Sequence, residues 1–286
     1  MKIMITGAAG QLGQALQKVP ASHQIVALSH TDLDITNLDQ VIREVERHQP
    51  DVLINAAAYN DVDAAEDSIV AAYLLNATGP RNLAIATQAH GATIVHVSTD
   101  YVFDGDTLTP YHEFSRPAPI SAYGLSKLAG EQAVAACNRR HYIARTAWLY
   151  GTEGRNFPKT MLSLSGRAEV SVVNNRFGSP TYVPHLAAAI AELITTDTYG
   201  IHHLAGGGEA SWFSLTEKLF KHFGMTTRVK PVPGSEFKQR ARRPDYSVLT
   251  TVREPSILLP SWEDGLRQFS QDMLRHPETL LTEVAG

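Results

Sequence analysis

The chain of 286 residues is 43% hydrophobic and 19% charged, with a net charge of −4. That balance supports a sizeable core and argues against a nucleic-acid partner, which a strongly basic chain would signal. No run approaches the roughly 20 apolar residues of a membrane span, and the single cysteine, Cys137, excludes an internal disulfide framework.

The N-terminus runs straight into a strand-and-turn pattern and does not read as a signal peptide. With Cys137 read as a small apolar filler in a reducing compartment, this predicts a cytoplasmic protein. Strands are expected at Lys2–Thr6, Gln24–Ser29, Asp51–Ala56, Thr93–Ser98 and Tyr142–Ala147. Each is a near-continuous apolar run, as found where a strand is covered on both faces. Helices are expected between them at Leu12–Lys18, Leu38–His48, Ile69–His90 and Ala122–Cys137. The alternation predicts an α/β fold, a Rossmann-like doubly wound parallel sheet with right-handed crossovers.

The second half is less regular, with helices suggested at Asn156–Ser165, Pro184–Thr195, Ser214–Phe223 and Ser261–Leu274. Ser214 with Glu217 and Ser261 with Asp264 have capping-box spacing, and Gly224 is placed to stop the third of these helices. The expected organisation is a dinucleotide-binding domain at 1–150, rejoined by segments around 171–205, and a smaller, mostly helical substrate domain at 151–286. The 12 histidines are scattered and His202 adjoins His203, whereas metal pairs on a helix need wider spacing, so no metal site is expected.

Directly after the first strand, Gly7-Ala-Ala-Gly10-Gln-Leu-Gly13 opens the first helix. Glycine at 7 and 10 lets the backbone turn tightly and approach a pyrophosphate. Gly13 lets helix and strand pack closely, and the helix N-terminus offers free N–H groups to an anion. In this position the pattern predicts a dinucleotide cofactor. The second strand ends Leu28-Ser29-His30-Thr31 with no carboxylate at its tip, although Asp32 and Asp34 follow. A 2′-phosphate is tolerated there and His30 can pair with it, so NADP(H) is favoured and NAD(H) stays open.

Tyr123-Gly-Leu-Ser-Lys127 places a phenol and an ammonium one turn apart on one helix face. A carbonyl receiving hydride needs a proton, and a phenol with a pKa of about 10 exchanges one poorly at neutral pH. A neighbouring ammonium favours the phenolate and draws that pKa down, and it can also hold the nicotinamide ribose. The pair alone arises often by chance. Behind a glycine turn and a strand ending in Ser98 and Thr99, which can hydrogen-bond a substrate carbonyl, it points to a carbonyl reductase.

These elements together resemble the extended short-chain dehydrogenase/reductase superfamily. Five stretches narrow the likeness: Ser98-Thr-Asp-Tyr-Val-Phe-Asp-Gly105, Tyr123-Gly-Leu-Ser-Lys-Leu-Ala-Gly-Glu131, Arg145-Thr-Ala-Trp-Leu-Tyr-Gly151, Phe177-Gly-Ser-Pro-Thr181, and Arg243-Pro244 with Ser247. They are similar to the dTDP-4-dehydrorhamnose reductase family, and the likeness runs from Ile3 to about Trp262. It implies NAD(P)H-dependent reduction at C4 of a dTDP-linked 4-keto-6-deoxyhexose, giving dTDP-L-rhamnose. By the same resemblance Thr99 binds the keto oxygen, Tyr123 protonates it, and Lys127 tunes Tyr123 and grips the ribose.

Gln11, Leu12, Asp34, Ile35, Ala58, Tyr59 and Asn60 match cofactor-contacting positions of the family, while Val62, Asp100 and Trp148 match positions near the sugar nucleotide. Trp148 also suits a core role, since it ends a buried strand. The family more often has threonine at the place of Asn60 and Asp-Gln at the place of Asn175-Arg176. Arg176 either reaches the diphosphate or is a solvated rim residue. Arg243 is either a phosphate clamp, for which its planar fork is suited, or half of a surface ion pair. Asp61, Asp63, Glu66 and Asp67 fit favourable charge at a helix N-terminus better than metal ligation. The expected partner is a sugar nucleotide, with neither nucleic acid nor membrane, and the chain is expected to be a monomer or a homodimer. Alternatives are a reductase of another nucleotide-linked keto sugar, a dehydratase or epimerase, and a non-catalytic regulatory homologue. The intact Thr99, Tyr123 and Lys127 speak against the last.

Overall fold

Alternating apolar strands and amphipathic helices fill the first half of the computed structural model, which describes residues 1–19 and 23–275. In chain order they are β1 (Lys2–Thr6), α1 (Gln11–Lys18), β2 (Gln24–Leu28), α2 (Leu38–His48), β3 (Val52–Asn55), α3 (Ala64–Asp67), α4 (Ile69–Tyr73), α5 (Gly79–His90), β4 (Thr93–Thr99), α6 (Ala122–Cys137) and β5 (His141–Thr146). The second half continues with β6 (Leu149–Tyr150), α7 (Phe157–Ser163), β7 (Glu169–Val173), β8 (Phe177–Gly178), β9 (Thr181–Tyr182), α8 (Val183–Leu193), β10 (Gly200–His203), β11 (Ala210–Ser211), α9 (Trp212–His222), β12 (Arg228–Val232) and α10 (Trp262–Arg275). Positions 276–286 of the expected second domain lie outside the described residues.

Six parallel strands form the main sheet in the order β10-β5-β4-β3-β1-β2. The chain runs outward from β1 to β2, then crosses back to β3 on the other side of β1. Strand order therefore reverses between β1 and β3, and a crevice opens beyond their carboxyl ends. Alternation along each strand divides the core into two layers. Ile3, Ile5, Val52 and Ile54 point to the face covered by Leu12 and Leu16 of α1 and by Leu186 and Ile190 of α8. Met4 and Leu53 point to the other face, against Val41 and Val45 of α2, Leu83 of α5 and Val134 of α6. Each of these fully buried side chains contributes about 1.5–3 kcal/mol of transfer free energy.

A second core gathers Met161 and Leu162, Val170 and Val172, Leu215 and Leu219, and Leu266 and Phe269 from α7, β7, α9 and α10. Of the expected returning segment 171–205, α8 covers the main sheet and β10 forms its edge, whereas β7 pairs in parallel with β12 in the second lobe. Among the described residues, no helix is long and apolar enough to cross a membrane.

Two local expectations are corrected. The helix expected over Ile69–His90 is three pieces: α4, a π-helical turn at Leu74–Thr78, and α5. The wide turn carries the fully buried Asn76, whose side-chain amide is drawn to partners outside the helix, as described below. The capping box of α9 lies three residues earlier than expected. Ser211 Oγ accepts from Ser214 N at 3.0 Å and Ser214 Oγ accepts from Ser211 N at 3.0 Å, so Ser214 is the third helical residue and not the cap.

Candidate active site

The glycine turn after β1 is shaped by contacts that only glycine permits. Gly7 is left-handed at φ 72°, and a Cβ there would fall 2.6 Å from the Ala57 nitrogen. A Cβ at Gly13 would fall 2.3 Å from the Gly7 carbonyl oxygen, so α1 packs directly on the turn. Gly10 is the N-cap of α1 and provides no side chain to bond the first-turn N–H groups. Those donors are left to an anion. Gln11 is braced by Asn156, whose Nδ2 donates to Gln11 Oε1 at 3.1 Å.

The cleft beyond β1, β3 and β4 has a volume of about 360 Å³. Of the residues expected to bind cofactor or substrate, Gly10, Gln11, Leu12, Ala58, Asn60, Val62, Thr99, Asp100, Tyr123, Lys127 and Trp148 line it. Gly7 and Gly13 shape the turn from behind. His30 is exposed just past β2, near the turn, where Ala8 N donates to Leu28 O at 3.1 Å. Asp34 spends its carboxylate on Thr36, accepting from its N at 2.9 Å and its Oγ1 at 2.7 Å. Ile35 turns its side chain into the core against Gly79.

Tyr59 does not line the cleft but packs against the cluster of Ala122 and Tyr123, its backbone held by a residue that the sequence did not single out. Asn76 Oδ1 accepts from Tyr59 N at 2.8 Å, and its Nδ2 donates to Tyr59 O and to Ser126 Oγ, each at 3.0 Å. Ser126 Oγ in turn donates to the Tyr123 carbonyl at 2.7 Å. One buried amide thus joins the loop after β3 to the helix that carries Tyr123 and Lys127.

Helix α6 begins at the Ser121 cap, where Gly124 N donates to Ser121 Oγ at 3.1 Å. A Cβ at Gly124 would fall 2.2 Å from the Tyr101 carbonyl, so the helix sits tightly on the turn after β4. Tyr123 and Lys127 share the buried face. Burial pushes the Tyr123 phenol above its ordinary range, Thr99 pulls against it by hydrogen bonding, and Asp100 and Tyr101 add to the rise. The expected lowering by an ammonium does not appear, since no charge from Lys127 contributes to the shift, and the phenol keeps its proton. Lys127 is lowered to about 8 by burial, with Glu131 opposing, and its Nζ donates to the Val97 carbonyl at 2.6 Å.

Thr99 Oγ1 donates to Asp100 Oδ1 at 3.0 Å and accepts from Tyr101 N at 3.2 Å. Asp100 is raised to about 6, because burial outweighs the hydrogen bonds from Ser247, at 2.6 Å, and from Thr99. Ser98 also lines the cleft, with its hydroxyl turned to a protein partner. Its hydroxyl donates to Glu131 Oε1 at 2.5 Å, beside the buried pair of Glu131 with Arg145.

Neither of the two cations expected at the diphosphate lines the cleft itself, although Arg243 lies against Tyr101, which does. Arg243 forks onto Asp63 at 3.0 and 2.8 Å, and that hydrogen bonding lowers Asp63 to about 2. Arg176 donates to Gln239 at 2.6 Å and to Asp245 at 3.3 Å. The acidic run is not simply helix-terminal charge. Asp61 accepts from Ala64 N, at the start of α3, at 2.9 Å, but Glu66 accepts from Ala122 N at 2.8 Å and Asp67 pairs with Arg240. The structure also adds Tyr101, Thr146 and Trp212 to the cleft. No spacing rule marks them, because each reaches it from a separate element. Among the described residues, no group of three or more His, Cys, Asp or Glu could hold a metal ion.

Comparison with known proteins agrees with this geometry. Residues 1–275 match the family described as "RmlD substrate binding domain". The chain is 40% identical to a probable dTDP-4,6-dihydroxy-2-methyloxan-3-one 4-ketoreductase of Streptomyces antibioticus, with 98% of each chain covered. It is 42% identical to a dTDP-4-dehydrorhamnose reductase of Mycobacterium tuberculosis, over 87% of this chain and 85% of that one. It superposes with a TM-score of 0.93 on the crystal structure of dTDP-4-dehydrorhamnose reductase from Bacillus anthracis in complex with NADP, at 44% identity over 95% of this chain and 99% of that one. With the phenol, ammonium and hydroxyl gathered beside a dinucleotide-type glycine turn, the chain belongs to the dTDP-4-dehydrorhamnose reductase family.

Proposed function

We propose that this chain reduces the C4 keto group of dTDP-4-dehydro-β-L-rhamnose to give dTDP-L-rhamnose, a precursor of cell-surface polysaccharide, with NADPH as the favoured reductant. The observation that carries this reading is the convergence of Thr99, Tyr123 and Lys127 with the uncapped start of α1 on one cleft. The residues present fit a dinucleotide. The turn lacks a Cβ at Gly7, Gly10 and Gly13, and the first-turn N–H groups of α1 suit a pyrophosphate. Gly10, Gln11, Leu12, Ala58 and Asn60 would hold it, and His30, exposed just past β2, would meet a 2′-phosphate. When bound, the reduced dinucleotide supplies the hydride. Residues 1–150 with α8 and β10 form the cofactor side, and the remainder of the chain holds the sugar nucleotide, with Val62, Asp100 and Trp148 toward the hexose.

Tyr123 enters the reaction as an acid, since burial keeps its proton on the phenol oxygen. As the carbonyl oxygen gains negative charge, the phenol donates to it. Lys127 is anchored by one N–H on Val97 O, leaving two donors for the ribose and for the phenolate one turn away. Thr99 holds its proton on Asp100, and rotation of the hydroxyl brings that proton to the keto oxygen. We place the enzyme in the cytoplasm, where Cys137 stays a thiol, acting as a monomer or a homodimer.

The name of the Streptomyces antibioticus relative favours a second reading, reduction of another dTDP-linked keto-deoxyhexose. A panel of 4-keto sugar nucleotides, assayed by loss of reduced-nicotinamide absorbance, tests both. The highest kcat/KM is expected with dTDP-4-dehydro-β-L-rhamnose. Another sugar reduced tenfold faster would replace it, and no oxidation with any sugar would overturn the reductase reading.

A further inference from the structure

Trp148 stands in the left-handed backbone region at φ 45°. For a bulky side chain this is strained, and it persists only where the surroundings hold it. Three groups do so. Gly178 lies so close to the indole that a Cβ there would fall 2.4 Å from its Cε2. The Trp212 ring lies parallel to that of Trp148, at 4° and 3.6 Å between centroids. Phe157 packs on Trp212 with ring centroids 4.4 Å apart.

Gly178 and Trp212 come from one small unit. β8 pairs antiparallel with β11, with Gly178 opposite Ala210, and Trp212 is the first residue of α9 directly after β11. The start of that helix is fixed by the reciprocal Ser211–Ser214 bonds. The second lobe therefore grips an indole that belongs to the end of the main sheet, and both rings line the cleft with Thr99 and Tyr123. Aromatic pairs left to themselves prefer offset or edge-to-face arrangements. A parallel stack this close is imposed by the framework, so Trp212 covers one face of the Trp148 indole and fixes its plane where both residues line the cleft. No ligand ring fits between them, so a ligand packs against the outside of the pair.

We propose that Trp212 is a substrate-positioning residue. By backing Trp148 it sets the wall on which the C–H face and the 6-methyl group of the hexose rest. This deepens the sugar-nucleotide reading of the same cleft and rests on it. Hydroxyl and diphosphate groups gain nothing from such a wall, so its contribution is confined to the hexose.

In the full-length enzyme, Trp212→Ala should raise KM for the keto-sugar nucleotide at least tenfold, leaving kcat within threefold and KM for NADPH within twofold. Trp212→Phe should restore most of the loss. Calorimetry with two stable probes reads the same wall without turnover: dTDP-L-rhamnose should bind at least tenfold more weakly to Trp212→Ala, and dTDP alone equally well. The chain has 3 tryptophans, so circular dichroism can follow the pair directly. The exciton couplet of stacked indoles should vanish in both Trp148→Phe and Trp212→Phe and survive Trp262→Phe. Unchanged dTDP-L-rhamnose affinity, or equal loss for both probes, would overturn the proposal. If wild type oxidises NADPH with no keto sugar yet the two probes still separate, the reductase reading falls and the wall stands.

Discussion

Lys127 carries a charge that is almost wholly shielded from water: the residue is 2% exposed, and its Nζ is held by the Val97 carbonyl. Burial lowers its pKa from 10.5 to about 8. At about 1.4 kcal/mol for each pH unit, this fall means that folding disfavours the ammonium by about 3 kcal/mol. The unfolded chain keeps the proton up to 10.5 while the folded chain releases it above about 8. Between those values the unfolded state binds more protons, so stability rises with pH, and below that window the whole penalty is present. Lys127→Met removes the titrating group and keeps the buried alkyl chain. Urea unfolding of both proteins from pH ~7 to pH ~10 isolates the effect: the stability of wild type relative to the variant should climb by about 2–3 kcal/mol. A difference that stays flat over that range would mean a solvated ammonium and refute the desolvated site. Activity should move the other way. Because the ammonium is the working form, kcat/KM should decline as pH rises through about 8.

Tyr123→Phe removes the proton donor while keeping the ring, so turnover should fall by about 10²–10⁴-fold with NADPH affinity, from fluorescence titration, changed only a few-fold; activity above a tenth of wild type would refute the role. His30→Asp sets a carboxylate beside the 2′ position and should shift the NADPH-to-NADH ratio of kcat/KM at least tenfold toward NADH, whereas an unchanged ratio would mean that another residue reads that phosphate. Glu131→Ala strands Arg145, which is bonded at 2.9 and 2.6 Å and already has an Nη1 without a partner. Leaving that cation buried and unpaired should cost about 3–5 kcal/mol in urea unfolding, and a loss below about 1 kcal/mol would show the pair to be solvated.

What could be read along the chain was local. β1, α2 and α6 fall where their apolar spacing and end residues put them, because a strand or helix carries its period in its own sequence. The glycine turn and the Tyr123–Lys127 spacing were legible for the same reason: each is a single turn of backbone, and its geometry follows from the residues inside it.

Tertiary structure alone decided the rest. The tie between Arg243 and Asp63 spans 180 positions, and the stack of Trp148 on Trp212 depends on how two lobes meet. Asn76 sits in a π-helical turn and bonds Tyr59 in the loop after β3 and Ser126 in α6, which no helical period records. The direction of the Tyr123 shift also lay beyond the sequence. Spacing shows which charges can be neighbours, but how far each is removed from water depends on what the whole fold packs around it.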